Sequence, residues 1–342
     1  MAQSLPVVVS SRPRGPVTRF MALIGPDFGL VGIFGVALVV LIAAYGASFK
    51  WKEGPILVSA GIALLLVGAR FLWRAHHIVL DRPGARRAFL VSARDILRDW
   101  GPLIIIMWMF QSLETYTGVI RKVCIDDALY QMDLSLFGVE PTQWIGKYFH
   151  PLLTDYMSLS YGLYFIMPML LATMLSVRGR RADFREMCIA VVLQMGIAFV
   201  LFLCFPAGPP RYYAPLVHGG FDPPQLHSYF GLFELQQGAF DTADPVRTRS
   251  AFPSLHCSLA LLTLIYAWRF GDAVFGAGRE KLYFWIILPL VVSLWISTVY
   301  LRHHWIPDIA AGMLVGLAAQ LIAPWLRRKW PQEGLPAQQR LA

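Results

Sequence analysis

Ser297-Thr298-Val299-Tyr300-Leu301-Arg302-His303-His304-Trp305-Ile306-Pro307-Asp308 runs straight into Ile-Ala-Ala-Gly-Met-Leu-Val-Gly. An arginine, two histidines and an aspartate stand where an apolar run begins, a place where charge is expensive unless it is used. An earlier island has the same character: Arg247-Thr248-Arg249-Ser250-Ala251-Phe252-Pro253-Ser254-Leu255-His256, followed by Cys, Ser, Leu, Ala, Leu, Leu, Thr and Leu. Two polar islands, each opening an apolar helix, indicate a membrane protein with its chemistry gathered at helix starts. Histidine, arginine and small hydroxyl residues in that setting point to phosphoryl transfer at a membrane surface.

The rest of the 342 residues agrees: 56% are hydrophobic, which excludes an ordinary soluble domain. Apolar runs able to cross a hydrocarbon core of ~30 Å fall at roughly 29–49, 54–73, 101–119, 153–176, 186–206, 256–271, 282–301 and 306–325. The expected fold is therefore all-α and polytopic, with about eight transmembrane helices, of which the last six form a catalytic core. Residues 1–28 read as a tail, and the first apolar run is long enough to stay in the bilayer rather than be cleaved. Residues 29–100 read as two additional spans plus a basic, partly amphipathic segment that suits an anionic leaflet. Residues 101–325 read as the catalytic domain and 326–342 as a second tail. Within the core, 120–152 reads as short surface helices broken at Gly138 and Pro141, with Asp126, Asp127 and Asp133 capping helices or facing solvent, contact with a substrate head group being the alternative. The loop 207–253 delivers the chain into the first island, and a loop of that length is usually functional or disordered.

Orientation follows from Lys and Arg. About 20 of the 30 lie in the N-tail, 74–99, 177–185, 269–281 and the C-tail. These segments alternate correctly if both termini are cytoplasmic, which opens both islands on the non-cytoplasmic face of an integral membrane protein (the inner membrane, for a bacterial chain). The net charge of +9 thus belongs to loops, and no nucleic-acid partner is expected. Cys124, Cys188, Cys204 and Cys257 show no CxxC spacing, so neither a zinc ribbon nor a redox pair is indicated.

In Pro253-Ser254-Leu255-His256, serine before an apolar run is a helix N-cap signature. The free N–H groups of that first turn, Ser254 and Leu255 foremost, make an anion site. His256 at its rim is placed to protonate a leaving oxygen; the plainer reading is a capped helix with an interfacial histidine. His304 and Asp308, at i and i+4, share a helix face. Asp308 can then hold the far nitrogen of the imidazole, while the near nitrogen attacks phosphorus. Arg302, with Arg247 or Arg249, would neutralise the pentavalent group. A zinc site of His256, His303, His304 and Asp308 is the rival chemistry. The arginines beside it favour an anion, so neither metal nor cofactor is expected.

At these residues the chain resembles the type 2 phosphatidic acid phosphatase superfamily, whose motifs are KxxxxxxRP, PSGH and SRxxxxxHxxxD. Pro253-Ser254-Leu255-His256 matches the second with Leu for Gly, and His304-x-x-x-Asp308 ends the third, with Ser297 in its serine position. The resemblance implies His304 as nucleophile, Asp308 as its orienter, His256 as general acid, and no metal. Two departures stand out. Thr298 occupies the arginine position of the third motif. Arg211, in AGPPRYY, is the candidate for the first motif's arginine, but it lacks both the following Pro and the preceding Lys. With PSLH, the His-His pair, DALYQMDLSLFGVEPTQW and SLSYGLYFIMP, the chain is similar to the inositol phosphorylceramide synthase branch over roughly residues 100–325. That implies an enzyme moving a phosphorylated head group between lipids, with membrane lipids as donor and acceptor. A phosphatidate or polyprenyl pyrophosphate phosphatase using the same site is the alternative, and a non-enzymatic lipid-binding or transport protein is a third.

Overall fold

A computed structural model describes residues 15–44, 85–114, 117, 123–213, 226–240 and 249–330. Helices account for nearly all of it: α1 Pro16–Ala44, α2 Ala85–Glu114, α3 Asp126–Phe137, α4 Pro141–Gly146, α5 Pro151–Val177, α6 Arg181–Cys204, α7 Leu232–Phe240, α8 Leu255–Phe270, α9 Asp272–Phe275, α10 Leu282–Tyr300 and α11 Ile306–Lys329. Among the described residues no strand forms, and the β geometry is an isolated parallel bridge between Ala207 and Ser250.

Among the described residues, five helices are long and apolar enough to cross a membrane: the Ile24–Leu41 part of α1, then α5, α6, α10 and α11. The chain is an all-α polytopic membrane protein. The expected span at 54–73 lies outside the described residues. That at 101–119 is the second half of α2, which fuses it to the basic segment before it. The N-terminal helix also starts earlier than the sequence suggested, at Pro16, and bends at Gly25, whose φ of 74° suits glycine. Large apolar side chains such as Ile33, Leu159, Ile166, Trp285, Leu314 and Leu321 stay exposed on the helix surfaces, as lipid contact requires.

α8 is the central helix, packing on α5, α6, α10 and α11, while α1 and α2 lean on α6. Its crossing with α11 is close because Gly312 and Gly316 face it. A Cβ on Gly312 would lie 2.2 Å from the Ser254 carbonyl oxygen, and one on Gly316 2.9 Å from that of Ser258. Small residues at this spacing let two membrane helices meet backbone to backbone. With sixteen residues, α8 rises only ~24 Å, short of the ~30 Å hydrocarbon core.

The opposite end is pinned by buried acids. Asp27 of α1 meets Arg98 at 3.2 Å and Arg185 at 3.3 Å; Asp99 meets Arg181 at 2.8 Å; Glu186 meets Arg269 at 2.7 Å and Arg327 at 3.3 Å. Each acid ties together helices distant in sequence. The four cysteines are free thiols.

Candidate active site

The first island folds as a cap. Ser254 precedes α8, its hydroxyl accepting the Cys257 N–H at 3.3 Å, and its own N–H donates to the Asp308 carbonyl at 3.0 Å. That second bond joins the two islands directly, and the close approach at Gly312 permits it. The head of α8 then offers an anion the main-chain N–H groups of Leu255 and His256.

The second island folds differently from expectation. The helix begins only at Ile306, so His304 is not on it. α10 ends at Tyr300, and the N–H groups of His303 and His304 both turn back to the Thr298 carbonyl, at 2.8 and 3.1 Å. Arg302 adopts the left-handed φ of 59° that this reversal needs, a conformation costing a non-glycine residue roughly 1–2 kcal/mol. The i, i+4 pair still meets, through this turn rather than along a helix face: His304 Nδ1 lies 3.4 Å from Asp308 Oδ2. The same carboxylate oxygen accepts the Trp305 N–H at 3.1 Å, as an acid at the third helical position does. Thr298, in the position of the motif's arginine, is buried and bonds Trp295 O, so it contributes to the turn rather than to charge.

The two islands converge on their imidazoles. His304 Nε2 faces His256 Nδ1 at 3.4 Å. His303, His304 and Asp308 are 4%, 5% and 0% exposed, so the site is withdrawn from water. Burial, and then the neighbouring Arg211, hold His303 well below its ordinary pKa, as a neutral ring.

The arginine candidates separate. Arg211 lies beside His303, and its N–H donates to the Arg302 carbonyl at 3.4 Å. Arg302 Nε and Nη2 are buried donors without a hydrogen-bond partner among the described residues. Arg249 holds its charge near Asp126 and Cys124 instead, and its carbonyl accepts the Ala207 N–H in the bridge that closes the 207–253 loop. Arg247 lies outside the described residues.

Several residues that set this geometry were read otherwise in the sequence, and Asp133, expected at a helix cap, in solvent or against a head group, is fully buried at the start of α11. α3 forms a roof: Asp126 accepts the Gly208 N–H at 2.8 Å, Asp127 accepts the Tyr213 hydroxyl, and Asp133 accepts the Ile306 N–H at 3.3 Å. Trp305, fully buried, donates its indole N–H to Gly208 O at 3.0 Å. From α5, Tyr161 stacks on His256 and on His303 with ring centroids 4.4 Å away in both cases, and Tyr164 lies 4.3 Å from His256. The available signal was the row of buried polar residues along α5, Thr154, Asp155, Ser158 and Tyr161, since a polar stripe on a spanning helix faces the bundle interior. No group of three or more His, Cys, Asp and Glu among the described residues is placed to hold a metal ion.

Behind His256 an apolar cleft runs between α2, α5, α6 and α8, past Leu103, Met107, Phe110, Pro168, Met195 and Leu259. A histidine site reached through an apolar cleft suits a lipid substrate. The sequence profile of the PAP2 superfamily matches residues 128–322, more than half of the chain. The chain belongs to the PAP2 superfamily. Among curated relatives, the phosphoinositol dihydroceramide synthase of Bacteroides thetaiotaomicron is 24% identical over 212 residues, covering 56% of this chain and 65% of that protein. The chain thus spans slightly less than two thirds of that relative's length. No solved structure matches the chain.

Proposed function

We propose that the enzyme transfers a phosphorylated head group from a phospholipid donor to a lipid or polyol acceptor, through a phosphohistidine on His304. The observation that carries this reading is the facing pair of imidazoles with Asp308 behind one of them. Asp308 keeps the His304 proton on Nδ1, so the Nε2 lone pair attacks phosphorus. His256 gives a proton to the departing lipid oxygen and takes one from the acceptor hydroxyl in the second half-reaction. The unpartnered donors of Arg302, with Arg211 next to it and the N–H groups of Leu255 and His256, receive the phosphoryl oxygens. Donor and acceptor chains lie in the cleft behind His256. Residues 101–325 form the catalytic unit, α1 and α2 lean on it through α6, and the site opens on the non-cytoplasmic face.

Transfer is favoured over hydrolysis because His303 and His304 are withdrawn from water while an apolar cleft opens behind His256. Comparing lipid extracts by mass spectrometry, with the active chain and with the His304→Ala variant, tests this. A new phospholipid species is expected with the active chain alone. Release of a dephosphorylated lipid without such a species would make the enzyme a phosphatase using the same site.

A further inference from the structure

His256 Nδ1 has two neighbours at the same distance. His304 Nε2 lies 3.4 Å away on one side, and the Tyr161 hydroxyl lies 3.4 Å away on another. Tyr161 is 3% exposed, and its ring lies on the His256 imidazole at an interplanar angle of 27°. It therefore sets the plane of that ring as well as touching its reactive nitrogen.

We infer that Tyr161 is a positioning residue that holds the proton-transfer nitrogen of His256 through both half-reactions. The inference rests on the reading of His256 as acid and base given above. In the first half-reaction His256 is an imidazolium and its Nδ1–H donates to the Tyr161 oxygen. That draws the proton away from His304 Nε2, whose lone pair must be free to attack. The N–P bond to His304 forms, the P–O bond to the lipid breaks, and the Nδ1 proton passes to the departing oxygen. His256 is then neutral, with its remaining proton on Nε2 and a bare lone pair on Nδ1. The Tyr161 hydroxyl now donates to Nδ1, since a phenol hydroxyl serves as acceptor and donor in turn. In the second half-reaction the acceptor hydroxyl displaces that contact and gives its proton to Nδ1 as its oxygen attacks phosphorus. The P–N bond breaks, and its electron pair returns to His304. Phenylalanine at this position would keep the stacking and lose the hydroxyl.

The test uses the full chain in detergent and follows the first turnover with two donors bearing the same phosphoryl group, a phospholipid and its nitrophenyl ester. Nitrophenolate leaves without protonation, so the acid matters only for the lipid donor. Tyr161→Phe is expected to slow first-turnover release from the phospholipid by roughly 10- to 100-fold, part of the ~10²–10⁴ that general acid–base catalysis supplies. Release from the nitrophenyl ester should be nearly unchanged. Equal slowing on both donors, or no slowing on either, overturns the role of the hydroxyl. His304→Ala and His256→Gln are run alongside. If His304→Ala keeps its burst of nitrophenolate, the phosphohistidine reading itself fails. If His304→Ala is inactive and His256→Gln is selective for the lipid donor, an unselective Tyr161→Phe defeats this inference alone.

Discussion

Asp308 is fixed from three directions: its carboxylate takes the Trp305 N–H and faces His304, and its carbonyl takes the Ser254 N–H. An asparagine whose amide oxygen replaces Oδ2 can keep the bond to Trp305, but it carries no charge to favour the Nδ1–H tautomer of His304. Asp308→Asn should therefore leave the thermal midpoint in detergent nearly unchanged and lower turnover by up to about 10⁴, the loss a wrong tautomer causes in a Ser-His-Asp enzyme. A midpoint that collapsed together with activity would show a structural role instead. Asp133 makes a different case. Burial, with Glu140 and Asp308 nearby, pushes its pKa up to about 7, against the Ile306 N–H that favours the charged form. From the usual carboxylate range up to about 7, the folded protein holds a proton that the unfolded chain has released. Stability should fall with rising pH across that window and level off above it. Asp133→Asn keeps an acceptor for Ile306 and removes the titration. Thermal melts between pH 5 and 8, run on both proteins, should show a slope in the parent that is flattened in the variant. Identical slopes would count against Asp133 as its source.

At the scale of the helix, the sequence made the starts of α8 and α11 legible because polar residues there have no cheap alternative to being used. Gly138 and Pro141 likewise ended α3 and opened α4 where expected. Two elements were misjudged because their partners are remote. The charges of 85–100 suggested a surface segment, yet Arg98 and Asp99 find Asp27 and Arg181 on other helices, so α2 continues through them. The i, i+4 spacing of His304 and Asp308 suggested a shared helix face, whereas the reversal at Arg302 that brings them together depends on the carbonyl of Thr298. Tyr161 was visible only as part of an apolar run rich in tyrosine, since the histidines it touches come from about 95 and 140 residues further on. The α8–α11 crossing is the most demanding contact. Its neighbour at Gly312 is backbone and cannot move aside, so Gly312→Ala should cost about 1–3 kcal/mol by overpacking. It should also lower activity by parting Ser254 from Asp308. Gly32→Ala, with nothing within 4 Å of the added methyl group, should be neutral in both measurements. A Gly312→Ala protein that melts and turns over like the parent would mean that α11 can shift without disturbing the site.

Across the whole molecule, charge is divided between the two ends of the bundle. Arg98, Arg181, Arg185, Arg269 and Arg327 sit at one end, clamped on Asp27, Asp99 and Glu186, while the imidazoles sit at the other, where α8 and α11 start and α10 finishes. The helices run between these ends in alternate directions, so one orientation applies to the entire core. Excess Lys and Arg mark the cytoplasmic side, so the proposed orientation has Arg178, in the turn between α5 and α6, inside the cell and Tyr229, before α7, outside. Both side chains are exposed. Single cysteines at these positions, in a background with Cys124 and Cys204 replaced by serine, should label from opposite sides with a membrane-impermeant maleimide. In intact cells the Tyr229→Cys protein should react and the Arg178→Cys protein should react only after lysis. Labelling of both from one side would break the alternation on which the assignment of every span depends. The reverse pattern would keep the bundle but turn the histidines, and with them the donor lipid, to the cytoplasmic leaflet.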